Sequence, residues 1–142
     1  MSRDQARVFF TRYRDAFNAG DGDAVAALWH TPSTLADTRD GVARVTCWVD
    51  EAAMRANMVA LCAVYRGVGE HAWAFELIDP VPLGANHAFA NVRWTMTRCG
   101  EMVQCFATAY QLGRFDNGWR VLFCTAYQED LAQAHHAAGG RA

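Results

Sequence analysis

The sequence contains no run of Lys or Arg. Its 13 basic and 15 acidic residues are dispersed along 142 positions, for a formal net charge of -2. This leaves no electrostatic footprint for nucleic acid or an anionic membrane, and neither partner is expected. No window approaches the roughly 18 apolar residues of a membrane span. The opening MSRDQARVFF carries charge where a signal peptide needs an apolar core, so the expected location is cytoplasmic. The five cysteines (Cys47, Cys62, Cys99, Cys105 and Cys124) form no C-x-x-C pair, and free, mostly buried thiols are the expectation. His135 and His136 are adjacent rather than a helical turn apart, a poor spacing for a metal, and no metal or other cofactor is expected. There is no internal repeat or linker, so one domain is expected over residues 1–130. The tail 131–142, with Gly139 and Gly140, is expected to fray.

What is present is enough apolar material, 52% of the chain, for one well-buried core. Ser2 followed by Gln5 reads as a capping box, and Ala6, Phe10, Tyr13 and Phe17 recur at helical spacing, predicting a first helix that ends at Ala19-Gly20. Asp21 caps a second, shorter helix with Val25, Leu28 and Trp29 inward and Pro32 as its stop. Residues 33–48 predict a short hairpin or an irregular crossing around Arg39-Asp40-Gly41. Asp50 caps a third helix with Met54, Met58, Leu61 and Tyr65 on one stripe and Glu51 paired to Arg55 outside. Beyond Gly67 and Gly69 the period becomes twofold. Segments 70–79, 86–98, 101–115 and 118–128 follow, separated by turn residues, as an antiparallel meander.

Helices at one end and strands at the other predict an α+β fold, with a cone-shaped curved antiparallel sheet wrapped around the N-terminal helices. Alternation puts Val92, Trp94 and Met96 on the inner face of one strand, and Trp73, Phe75 and Leu77 on that of its neighbour, with His71 at the rim. The last two strands are apolar on both faces. Their outer side is expected to pair with a second copy in a homodimer.

The words FFTRYRDAFNAGDGDAVAALW and GRFDNGWRVLFCTAYQ, with Asp37 and a third helix between them, resemble the nuclear transport factor 2-like superfamily over roughly residues 5–128. The SnoaL-like cyclase and ketosteroid isomerase branches are the most similar in style. The resemblance implies a cystatin-like α+β barrel that uses the cone's interior for small-molecule catalysis, ligand binding or protein contact. It places Tyr13 on the isomerase branch's hydrogen-bond donor and Asp37 on its catalytic base. A carboxylate in an apolar cone is poorly solvated and therefore a better proton acceptor, and a tyrosine hydroxyl can stabilise the enolate oxygen that forms. The handling of this chemistry by ketosteroid isomerase is well known. The branch's third group, an oxyanion acid, falls on the neutral Gln111 or a near neighbour, and no acid occurs between Met102 and Phe115. The epoxide hydrolases of the superfamily need two aspartates bridged by arginine, whereas Arg93 lacks its acid. A SnoaL-like proton-transfer set could come from Asp37, His30 and His71.

The expected ligand is a compact apolar molecule with a carbonyl or hydroxyl group, bound by Phe10, Phe17, Trp29, Met58, Trp73, Phe75, Trp94, Met96 and Gln111. Asp37 and Tyr13 are the expected catalytic pair. Non-catalytic binding of a hydrophobic ligand is the alternative. A dimeric protein-contact module with a cone filled by Trp73, Trp94, Phe10 and Met58 is a further one. Each residue also has a structural reading: Asp37 as a turn residue, Tyr13 as a core tyrosine, and His30 as the C-terminal complement of a helix dipole.

Overall fold

The computed structural model describes residues 1–127, and the expected frayed tail lies outside them. Helix α1 spans Arg3–Asn18 and begins in the predicted capping box. The Gln5 N–H donates to Ser2 Oγ at 3.1 Å, and the Ser2 N–H donates to Gln5 Oε1 at 2.8 Å. Its buried stripe is Ala6, Phe9, Phe10, Tyr13 and Ala16. Helix α2 spans Gly22–Ala26, capped by Asp21. It ends earlier than its periodicity predicts, and Trp29 opens strand β1 instead. The reason is tertiary: the Val121 N–H donates to the Leu28 carbonyl at 2.9 Å, drawing the chain into the sheet.

Strands β1 (Trp29–Arg39) and β2 (Val42–Trp48) form a hairpin closed by Asp40 and Gly41. Both turn residues have positive φ, 55° and 76°, which suits the right-handed twist of the flanking strands. Helix α3 (Glu51–Arg66) buries Met54, Met58 and Cys62. Arg55 pairs with Glu51 at 2.8 Å and with Asp23 at 3.1 Å, joining α3 to α2 outside the core. The two helices also meet backbone to side: a Cβ on Gly22 would lie 2.5 Å from the Val59 Cα.

Strands β3 (Ala72–Leu83), β4 (His87–Arg98), β5 (Glu101–Phe115) and β6 (Gly118–Tyr127) form the predicted meander. β3 runs past its predicted end because the register shift between Ile78 and Val81 absorbs Pro80 in a bulge. The strand order is β2-β1-β6-β5-β4-β3, and β1 runs parallel to β6. The expected curved sheet around the N-terminal helices is present; every strand pairs antiparallel to a neighbour, the β1–β6 pairing is parallel, and the sheet stays open with β2 and β3 as edges. The α+β layering holds. Asn18 fastens the end of α1 to the sheet, accepting from the Trp73 N–H at 2.7 Å and donating to the Trp73 carbonyl at 3.2 Å.

Among the described residues no helix is long and apolar enough to cross a membrane. None of the five cysteines forms a disulfide among the described residues. Cys62 and Cys124 are buried, but Cys47 and Cys99 are exposed, against the expectation for most of them.

Candidate active site

Curvature of the sheet leaves a cavity of about 380 Å³ between its concave face and the helices. Such a volume lies toward the small end of ligand pockets, which suits a compact molecule. Helix α1 contributes Tyr13 and Phe17, and α3 contributes Asn57, Met58, Leu61, Val64 and Tyr65. Trp29, Leu35, Asp37 and Arg39 come from alternate positions of β1. Trp73 and Trp94 come from β3 and β4, while Phe106, Thr108 and Tyr110 come from β5. Cys124 and Ala126 of β6 complete the wall.

The floor carries a buried polar network. The Trp29 indole N–H donates to the Tyr13 hydroxyl at 3.1 Å, and the Trp94 indole N–H donates to the Tyr110 hydroxyl at 3.1 Å. Thr108 Oγ1 donates to the same Tyr110 oxygen at 3.2 Å, and the two phenol rings meet edge to face with centroids 5.7 Å apart. Burial, then the nearby Cys124, raises Tyr13 well above the usual tyrosine range. Burial, then Tyr13, does the same for Tyr110. Both hydroxyls therefore keep their protons. With indole N–H groups occupying acceptor positions on the phenol oxygens, each phenol is left to act as a donor.

Asp37 is the one acid among the lining residues. Its side chain is 12% exposed, and its Oδ2 accepts from Arg39 Nε at 3.2 Å. Among the described residues nothing else bonds to the carboxylate, which leaves Oδ1 without a hydrogen bond.

Tyr13, Asp37, Phe17, Trp29, Met58, Trp73 and Trp94 thus line one cavity. Four other expected ligand contacts do not reach it. Phe10 is fully buried among Phe9, Tyr13, Phe75 and Tyr110, with ring centroids 5.0–6.3 Å apart. Phe75 packs between Phe10 and Trp94 under the Arg14 guanidinium, and Met96 is fully enclosed in the core. These three occupy the filled part of the cone. Gln111 is exposed on the opposite face, between Phe89 and Phe123, because the inward residue there is its neighbour Tyr110.

The other candidates also lie elsewhere. His30 stacks on Phe115 at 4.0 Å, and His71 faces the Gly69 carbonyl through Nδ1 at 2.8 Å. Neither shares the cavity with Asp37. Arg93 pairs with Glu76 across the outer face. No cluster of three or more metal-ligating side chains occurs among the described residues. Sequence reasoning missed Tyr110, Thr108, Asn57 and Arg39. The signal for Tyr110 and Thr108 was their shared parity with Leu112.

A family model described as NTF2-like protein (DUF6841) matches residues 3–129. The chain belongs to this NTF2-like family. No curated protein matches it. Among solved structures, it is similar to a cystatin-like domain of unknown function from Nostoc punctiforme, with a TM-score of 0.70, 16% identity, 95% of this chain and 82% of that one covered. An NTF2-like protein from Novosphingobium aromaticivorans gives 0.66, 20% identity, and coverage of 96% and 88%. A Streptomyces avermitilis protein of the NTF2-like family, provisionally named a dehydratase, gives 0.62, 16% identity, and coverage of 87% and 93%. At these identities the likeness shows a shared NTF2-like fold and leaves activity to the residues of the cavity.

Proposed function

We propose that the cavity binds a compact apolar carbonyl compound and moves a proton on it without a cofactor, as an isomerase or a SnoaL-like cyclase does. The observation that carries this reading is the convergence of one open carboxylate and two protonated phenols on a single apolar chamber. Asp37 removes a proton from the carbon next to the carbonyl. The phenol donors take up the charge that develops on the oxygen, and the proton on Asp37 returns to a carbon of the same molecule. Apolar walls exclude water, which strengthens each of these interactions. The provisional naming of one structural relative as a dehydratase fits a chamber suited to proton chemistry.

The test is exchange of α-hydrogens of small cyclic ketones in deuterated water, followed by NMR. Asp37→Asn should lower the rate by about 10²–10⁴-fold, the usual weight of a general base. Ketones that bind but never exchange, with wild type and Asp37→Asn alike, would make the protein a ligand binder. That second reading is favoured by the lack of another acid among the described residues that line the chamber.

We further infer a homodimer through the outer sheet face. Register aligns Val81, Phe89, Gln111 and Phe123 across four strands there, and the three apolar members are each at least 36% exposed. Covering such a row would remove apolar surface from water. A monomer at every concentration in light scattering would count against it.

A further inference from the structure

The lip of the cavity carries arginines that proton transfer does not use. Asp37 and Arg39 are two residues apart on β1, and both line the chamber. Arg44 of β2 is the cross-strand partner of Asp37. Residues directly opposed in an antiparallel pair project on one face, so Arg44 shares the concave side of the hairpin. On that face Asp37 has the guanidiniums of Arg39 and Arg44 as neighbours, while Asp40 sits in the turn that closes the hairpin.

Arg39 uses only its Nε on Asp37, and its side chain is 65% exposed where that of Asp37 is 12%. The guanidinium therefore forms the outer lip, with the carboxylate behind it. Among the described residues the terminal nitrogens of Arg39 have no partner, and Arg44 makes no hydrogen bond or ion pair. A guanidinium fork matches a carboxylate in two parallel hydrogen bonds.

We propose that the ligand is a compact apolar carboxylic acid, its carboxylate held at the lip by Arg39 and Arg44 and its body among Trp29, Trp73 and Trp94. This rests on the cavity being a small-molecule site and adds the ligand's charge. If the ligand also carries a carbonyl, that group meets the phenols at the floor.

The experiment is calorimetric titration of the full chain with naphthylacetate and with its neutral amide, naphthylacetamide. Wild type should prefer the acid by about tenfold at low salt, and the preference should narrow as salt screens the exposed lip. The double variant Arg39→Gln/Arg44→Gln should lose the preference, and Arg39→Lys/Arg44→Lys should keep most of it. Equal binding of acid and amide to wild type would overturn the carboxylate assignment alone. So would an equal loss of both probes in the glutamine variant, which would mark the arginines as structural. If neither probe binds, the small-molecule reading falls with it.

Discussion

Trp29 donates its indole N–H to the Tyr13 hydroxyl at 3.1 Å, tying the first residue of β1 to the middle of α1. Tyr13→Phe leaves that buried N–H without an acceptor, and a lost buried partner costs about 1–3 kcal/mol. Urea denaturation should show a loss in this range. If α-hydrogen exchange is found for a ketone, the same variant should slow it by about 10²-fold, the weight of one preorganised donor.

Alkaline pH should weaken the fold through the same phenols. Burial first holds Tyr13 and Tyr110 above the ordinary tyrosine value of 10.0. Their contribution is complete while both folded and unfolded chains keep the proton. Above about pH 10 the unfolded chain loses protons that the folded chain retains, so each tyrosine removes about 1.4 kcal/mol per further pH unit. Denaturation at a series of alkaline pH values should give a shallower decline for Tyr13→Phe than for wild type.

Gln104 is 2% exposed, and among the described residues both of its amide atoms lack a hydrogen-bond partner. It stands opposite Met96 on the inner face of β5. Gln104→Met keeps the length of the side chain and removes the unpaired groups, so it should raise stability by about 1–3 kcal/mol. A lower midpoint in thermal unfolding would show that the amide has a partner in solution.

Gly22 permits the contact between α2 and α3. A Cβ there would meet the Val59 backbone at 2.5 and 2.7 Å, and no side chain can rotate to relieve that clash. Gly22→Ala should destabilise by about 1–3 kcal/mol as the helices separate. Because Met58 beside Val59 lines the cavity, ligand affinity should fall as well.

Much of this arrangement is legible in the sequence. The alternation of Val92, Trp94 and Met96 gives the inner face of β4, and the Asp50 cap gives the start of α3. Periodicity reports that a residue points inward without reporting whether the space it meets is filled. Phe10 and Met96 point inward as firmly as Tyr13 and Trp94, yet they lie where helix and sheet close on each other. At Gln111 the difficulty was parity: on a hairpin apolar on both faces, a shift of one residue exchanges inside for outside, which hid Tyr110 behind its neighbour. The parallel pairing of β1 with β6 left no local trace, since parallel partners are joined through the rest of the fold.

That pairing also sets when the chamber can exist. Leu35 and Ala36 of β1 lie against Cys124 and Thr125 of β6, so the strand bearing Asp37 is fixed by the last described strand. Contacts so distant along the chain form late in folding, after shorter-range hairpins and helices. A nascent chain emerging from the ribosome can complete α1, the first hairpin and α3 while β6 is still unmade. Until β6 arrives, Asp37 and the phenols belong to separate pieces, and the chamber they line waits on the pairing of β1 with β6.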